Sequence, residues 1–304
     1  MAVASGNFAE LLWPGIAELW GNAYNDYEPL YTKLFSMKSS DKRFEKEQGV
    51  TGLGLAAVKD EGSSIPYEDP FQGYQKEYVN VTYALGSSVT REMYEDDQYN
   101  YINSIPSMLA RSMRQTEETV AFNHLNRAFN SSFTGADGLQ LCSGGGSGGT
   151  AHPLVGGGTY TNELATSADL TQTSLETATQ NLMDFVDDQN LKIRVMPKCL
   201  VVPTALNFTA RKILETSYAV GSADNDINPI PGLFQDLVVS PYLTDTDAWF
   251  IITDTPNGLT WFTRRAAEIG RDNEFDTENL KFKTSKRWSS GWTDARGVYG
   301  SAGA

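Results

Sequence analysis

Apolar and polar positions change their spacing several times along the chain, and each change marks an element. From Tyr78 to Leu85, the residues Val79, Val81, Tyr83 and Leu85 alternate with Tyr78, Asn80, Thr82 and Ala84, the two-residue period of a strand with one apolar face. Gly52, Gly54, Gly62, Pro66, Pro70, Gly73 and Gly86 punctuate the surrounding stretch, so residues 50–89 predict a long β excursion. The period then lengthens. Leu109, Met113, Val120, Ala121 and Leu125 fall at helical spacing and predict a helix from Pro106 to Phe129, on the order of 35 Å long and the longest element of the chain. Ahead of it, Thr90 reads as the N-cap of a shorter helix, with Glu92, Glu95, Asp96 and Asp97 near its positive dipole end.

The second half reads as a compact α/β region. Thr173 and Glu176 form a capping box for a helix whose apolar face is Leu175, Ala178, Leu182, Phe185 and Val186. Cys199 to Val202 is an unbroken apolar run ended by Pro203, the pattern of a buried strand, and Leu206, Ala210, Ile213 and Leu214 mark a further helix. Strands are predicted at 237–239, 249–253 and 259–263, with a β-rich tail over 280–288 and 292–299. No internal repeat is present.

Two stretches follow no sustained period. Residues 1–46 interleave Phe8, Trp13, Trp20, Tyr24, Tyr27, Tyr31 and Phe35 with Pro14, Gly15, Gly21 and Pro29. Short helices at 7–13 and 16–24 are expected there, but no self-contained core, so this aromatic arm must pack on its own subunit or on a neighbour. Ser143 to Thr159 is rich in glycine and predicts a low-complexity loop, flexible or ordered only by contacts.

Composition narrows the function. At 304 residues and 40% hydrophobic content the chain can bury a core, and no apolar run approaches the roughly 18 to 20 residues of a membrane span, so a soluble protein with no membrane partner is expected. The first basic residue is Lys33, so no secretory n-region is seen and the protein is expected to stay in the cytoplasm of the cell that makes it; Cys142 and Cys199 then read as free thiols. A net charge of −14 argues against gripping nucleic acid through its phosphates. It is compatible with enclosing DNA without sequence-specific binding, because an acidic wall repels the polymer.

Candidate chemistry is thin. Gly145-Gly146-Ser147-Gly148-Gly149 has the spacing of a serine hydrolase elbow, but neither an apolar strand nor a helix flanks Ser147. Gly52-Leu53-Gly54 begins like a dinucleotide fingerprint, yet a solvated run, Glu45 to Gln48, stands where the buried strand should be. Asp224-Asn225-Asp226 opens like a calcium loop, but Pro229 and Gln235 replace the turn glycine and the bidentate acid. Asp187 and Asp188 read as a solvated helix end, His124 as a helix-surface or interface residue and His152 as a loop residue. No catalytic residue, metal ligand or cofactor site is assigned.

Taken in order, Gly52-Leu53-Gly54, Thr90 to Asp97, the helix from Ser107 to Asn130, Gly135 to Gly138 with His152-Pro153, and Cys199 to Pro203 leading into Ala205 to Leu214 resemble the major capsid proteins of tailed bacteriophages, within them the Mu-type major head subunit group. The resemblance spans about residues 10–300. It implies an α+β, Hong Kong 97-like fold with a long spine helix. It further implies an N-terminal arm (1–46), an extended β-hairpin loop (47–89), a peripheral domain (90–150 and 262–304) and an axial domain (151–261). Such subunits form homo-pentamers and homo-hexamers that close an icosahedral virion head around double-stranded DNA, and they work with a portal and decoration proteins. No extra N-terminal scaffolding segment is seen, so scaffolding is expected either from a separate scaffolding protein or from a segment that has been removed. Lys59 and Lys76 lie where some relatives crosslink, but no partner is matched. Val79, Val81, Tyr83, Leu85, Trp13 and Trp20 are the candidate subunit-contact residues. An encapsulin-like nanocompartment shell and a serine hydrolase remain the alternatives.

Overall fold

In the computed structural model, residues 9–96, 102, 104–218, 226–274 and 278–304 are described. Helix α1 (Ala9–Asn25) and the single turn α2 (Tyr31–Leu34) lead into strands β1 (Ser36–Ser39), β2 (Phe44–Val50), β3 (Gln72–Val79) and β4 (Val81–Val89). A short α3 (Arg91–Glu95) precedes the long α4 (Ser104–Asn126), then the small strands β5 (His152–Pro153) and β6 (Thr159–Tyr160). The chain continues through α5 (Gln172–Met183), β7 (Pro197–Pro203), α6 (Asn207–Glu215), β8 (Asp236–Ser240) and β9 (Trp249–Thr253). It finishes with β10 (Leu259–Asn273), β11 (Leu280–Trp292) and β12 (Val298–Ser301).

Two four-stranded mixed sheets carry the fold, ordered β1-β10-β11-β4 and β12-β9-β7-β8, with β1–β10 and β7–β8 parallel and the other neighbours antiparallel. Between them lies one apolar cluster. Phe122 and Leu125 of α4 meet Trp261 and Trp288 of the first sheet and Val201, Phe250 and Ile252 of the second. The opposite face of the second sheet, with Leu200, Trp249 and Ile251, is covered by Leu175, Ala178 and Leu182 of α5 and by Ala210 and Ile213 of α6. The run read as a buried strand, Cys199 to Val202, is therefore apolar on every residue because it has cover on both faces.

Several expectations shift. The alternating run from Tyr78 to Leu85 is two strands. β3 pairs with β2 in a two-stranded hairpin, while β4 pairs with β11, so residues 81–89 of the stretch expected as a free loop form one edge of the first sheet. The break is Asn80, buried between them. Its backbone N–H donates to the Arg43 carbonyl, its side-chain N–H to Ser40 Oγ (2.9 Å) and the Lys42 carbonyl (3.0 Å), and its Oδ1 accepts from Ser289 Oγ (3.0 Å). These bonds replace ladder bonds, and the apolar alternation carries through them without a trace in the sequence.

The two short N-terminal helices are one. α1 runs through Pro14 and Gly15 because Trp20 and Ala23 pack on Ala110 of α4, contacts that outweigh the missing N–H. The capping box of α5 is set by Thr171 and Ser174, two residues ahead of the expected Thr173 and Glu176: Thr171 Oγ1 accepts from the Ser174 N–H and Ser174 Oγ from the Thr171 N–H. Thr90 caps α3 as expected, but that helix is a single turn, so Asp96 stands at its C-terminal end rather than near the positive dipole end, and Asp97 lies outside the described residues.

Candidate assembly surface

The β2–β3 hairpin and, beyond the break at Asn80, the edge strand β4 of the first sheet follow one another in the chain as a two-part ribbon. β2 pairs with β3 from Phe44↔Val79 to Val50↔Gln72, and residues 51–71 between them have no regular structure. A two-stranded ribbon carries too little cross-strand burial to support its own loop. The loop accordingly buries little apolar surface: Leu55 is 82% exposed, Val58 95% and Tyr67 94%. Its own order comes from a few polar contacts, the Thr51 and Phe71 backbones bonded across its neck and the Gly54 N–H donating to Glu68 (2.8 Å).

Four of the sequence-predicted contact residues lie on this ribbon. Val79, Val81 and Leu85 are each about half exposed. Tyr83 is partly buried, its ring stacked 4.1 Å from Trp288. Trp20 does not belong to this surface. Its ring is buried within the subunit, stacked 5.0 Å from Tyr24 and packed beside Ala23 and Ala110, because α1 lies along α4 rather than projecting as an arm. Trp13 falls in the same helix, and its side chain lies outside the described ones.

Beside the ribbon a hollow of about 540 Å³ opens between β3, the end of α4 and β11. Lys76 and Arg127 line it, with Val79, Tyr83, Phe133 and Trp292 among its walls. The Lys76 ammonium donates to the Thr134 carbonyl (2.8 Å), and burial lowers its pKa. Arg127 places its guanidinium 4.2 Å over the Phe133 ring. His124, expected at the helix surface or an interface, faces inward at the back of this hollow. Its Nε2 meets Ser290 Oγ at 2.9 Å, its ring packs near Phe35 and Trp292, and burial pushes its pKa down to about 4, so it is neutral at physiological pH.

What holds the N-terminal residues to this body is a buried charge network that periodicity alone conceals. Glu117 of α4 is fully buried and accepts from Tyr24 Oη (2.6 Å), Tyr31 Oη (3.1 Å) and Arg114 Nη1 (3.0 Å), with the Lys286 ammonium 3.1 Å away. Next to it, Glu118 accepts from the Leu30 N–H at 2.7 Å, and burial raises its carboxyl to about 7. The signal was present in the sequence. Arg114, Glu117 and Glu118 fall on the same helical face as Met113 and Ala121, where a solvated polar interval would not.

The chemical motifs find structural employment. The glycine run around Ser147 is packed, not flexible: a Cβ on Gly146 would sit 2.0 Å from the Ser167 nitrogen, and one on Gly145 2.3 Å from the Leu164 carbonyl. Ser147 Oγ donates to Glu163 at 2.5 Å. His152, expected in a loop, is wholly buried, with Nδ1 2.5 Å from Asp137 Oδ2 and its ring stacked on Tyr160. Ser147 Oγ is thus bonded to a carboxylate and not to a histidine nitrogen, so the nucleophile–base pair of a hydrolase is not formed here. Asp188 pairs with Arg296, and Asp187 accepts from the Gln189 and Leu191 N–H groups. Asp224 and Asn225 of the calcium-like run lie outside the described residues. Cys142 and Cys199 are free and buried, and burial raises both thiols, Cys199 to about 12. Among the described residues no cluster of acids, histidines and cysteines could hold a metal ion, and no helix is long and apolar enough to cross a membrane.

Comparison with solved structures shows which molecules share this architecture. The virus-like particle from Pyrococcus furiosus matches with a TM-score of 0.56 at 12% identity, over 94% of this chain and 97% of that one. The capsid of cyanophage P-SCSP1u matches with a TM-score of 0.58 at 10% identity, over 90% and 87%. The capsid of bacteriophage JBD30, decorated with minor capsid protein trimers, matches with a TM-score of 0.57 at 12% identity, over 80% and 100%. No curated protein matches at the sequence level. A family model described as phage capsid protein matches residues 73–301, about three quarters of the chain, from β3 to the end of β12. The chain therefore belongs to the phage capsid protein family, a structural virion component with a Hong Kong 97-like fold.

Proposed function

We propose that this major capsid protein assembles as homo-pentamers and homo-hexamers into a closed icosahedral head around double-stranded DNA, and that the ribbon from Phe44 to Val89, with its loop at 51–71, is an element through which neighbouring subunits are joined. The observation that carries the second part is the exposure of Leu55, Val58 and Tyr67 on a loop with no core of its own, continuous with half-exposed Val79, Val81 and Leu85. Apolar surface of this kind on a chain that works in many copies is buried by the next copy. A net charge of −14 suits a container whose contents must slide past its wall. α4 with the first sheet would form the peripheral domain and the second sheet with α5 and α6 the axial one. A separate scaffolding protein, a portal and decoration proteins are the partners this reading calls for.

A shell of the same fold that encloses no genome is the second reading, favoured by the match over 97% of the Pyrococcus furiosus virus-like particle subunit. Electron microscopy of the purified full chain, produced with and without its neighbouring virion genes, tests both. Uniform closed shells are expected, and nuclease-protected DNA inside them separates the head from the empty compartment. A chain that stays monomeric under all these conditions refutes both.

A further inference from the structure

One face of the first sheet is bare. Along β11 the buried Phe282 and Trp288 turn toward α4, so Lys283, Ser285 and Arg287 lie on the opposite face, with their cross-strand partners Gly86, Ala84 and Thr82 of β4 beside them. Those three β4 residues are exposed. At one end of this face, on a chain of net charge −14, four arginines from three segments gather around Asn80. The Arg43 carbonyl accepts from the Asn80 N–H, and the Arg287 guanidinium reaches the Asn80 carbonyl at 3.4 Å. Arg265 is the cross-strand partner of Arg287, and Arg264 lies 3.4 Å from the carbonyl of Ser40, whose hydroxyl accepts from Asn80. The matching within the subunit is poor. Arg264 and Arg265 have only exposed partners, Asp41 at 3.4 Å and Glu268 at 3.2 Å, pairs that contribute little in water. Among the described residues no carboxylate lies at ion-pair distance from Arg43 or Arg287.

Arg265 opposite Arg287 costs the sheet stability, because like charges on cross-strand partners repel. The ladder is also irregular on both sides of Arg265, the kind of break that re-aims a side chain. The pairs within the subunit offset little of that repulsion; an anion from outside would offset it. We infer that this cluster docks an acidic, hydrophilic segment of a separate protein, whose carboxylates are held by the guanidinium forks of Arg265 and Arg287, with Arg43 and Arg264 at the flank. The floor selects among anions. Thr82, Ala84, Gly86 and Ser285 are small and mostly polar, and they give no pocket to the aliphatic and aromatic groups of this chain's own loop 51–71. Duplex DNA carries a phosphate charge for about every 1.7 Å of its axis, and it would run on over Asp272 and Glu274 farther along the same hairpin. Screening within about 8 Å lets a short segment meet the arginines alone. This assignment does not depend on the copies closing into a shell.

Arginine modification of the purified full chain by phenylglyoxal, read by peptide mass spectrometry, tests this. Arg265 and Arg287 should be modified in the free chain and in any shells it forms alone, and shielded in particles made with the neighbouring virion genes. Hexaglutamate should protect both in the free chain, less as salt rises, and a duplex oligonucleotide of equal charge should protect them less. Arg287→Glu turns the like-charged pair into an opposite one, so its thermal midpoint should be unchanged or raised, while protection of Arg265 by hexaglutamate is lost. The inference is overturned if hexaglutamate gives no protection, if the duplex protects better, or if both arginines stay open in the complete particles. It is equally overturned if shells of the chain alone already shield them, since a second copy then covers the face. An Arg287→Glu variant with a lowered midpoint and intact protection would mark a structural arginine and overturn it too.

Discussion

Glu117→Gln tests whether the buried charge network, rather than apolar packing alone, fastens the N-terminal residues to the spine helix. The glutamate is fully buried among two cations and two tyrosine hydroxyls. Glutamine keeps the shape and one acceptor but removes the charge. Arg114 retains two bonds to the Tyr24 carbonyl, at 2.9 and 3.2 Å, and so stays partly compensated. Lys286 loses its carboxylate and keeps only hydroxyl contacts at 3.4 Å and ring faces 5.7 to 5.8 Å away. Breaking a buried pair from one side costs about 3 to 5 kcal/mol, and the residual contacts place this case near about 3. With a urea dependence of about 3 kcal/mol per molar, the midpoint should fall by about 1 M. Urea unfolding of the unassembled subunit reads it directly, since Trp261 and Trp288 border the network. Lys286→Met should cost less than Glu117→Gln, and the double variant should recover most of the loss, because no unpaired ammonium remains. A cost below about 1 kcal/mol for Glu117→Gln, or a double variant equal to the sum of the two singles, would refute the reasoning.

Glu118 should imprint a pH slope: its folded carboxyl, raised to about 7 from 4.5, holds a proton that the unfolded chain has released, so its contribution to stability falls as pH rises between those values. Glu118→Gln should remove that slope, on the order of 2 to 3 kcal/mol between pH 5 and 8; His124, lowered to about 4, acts in the opposite sense in both proteins, so the difference between their urea midpoints is the quantity to follow. Asn80→Ala strips three side-chain bonds from the pivot between the hairpin and the first sheet and should lower stability by about 2 kcal/mol, while raising protease cutting in 44–79; unchanged cleavage there would argue that the strands alone set the hairpin's direction. Replacing residues 52–70 with a short Gly/Ser turn should leave the thermal transition within a few degrees of wild type and abolish regular shells; normal shells would show that the loop joins nothing, and an unfolded subunit that it belongs to the core. Ser147→Ala should lower stability modestly, by about 1 kcal/mol, through the lost bond to Glu163, and change no hydrolytic rate; loss of a measurable hydrolysis with the fold intact would reopen the enzyme reading.

The elements legible in the sequence were those whose burial is periodic. α4, β7, α6 and the C-terminal strands have one apolar face, or two, and nothing else competes for their backbone. What stayed hidden were decisions made by side-chain hydrogen bonds between distant segments. Asn80 ends a strand in mid-alternation because Ser40, Lys42 and Ser289 supply partners that only the folded chain brings near. The glycine run at 144–149 looks flexible by composition, yet Gly145 and Gly146 are required by close approach to residues 163–167, a reason invisible without the contacts. Of the assembly surface, Val79, Val81 and Leu85 could be found because a strand with one apolar face asks what covers it. The hollow that Lys76 shares with Arg127 could not, since its walls come from segments that only the folded chain brings together. Trp20 shows the converse error, an aromatic read as an external anchor whose partners lie on its own spine helix.

The order of strands in the two sheets has a consequence for biosynthesis. β1, near the start, hydrogen bonds only with β10, and the central strands of the first sheet are β10 and β11; in the second, β7 must wait for β9, and β9 for β12. Asn162 donates to carbonyls of Leu141, Ala295 and Val298 at once, tying the middle of the chain to its last described strand. Neither sheet can therefore close before β11 and β12 have been synthesised and have left the ribosome. A nascent subunit offers α4 and an unfinished edge but no completed body to dock against. Translation thus acts as a timer on folding: a product cut short before β11 and β12 lacks a central strand of the first sheet and an edge strand of the second, and has no completed body.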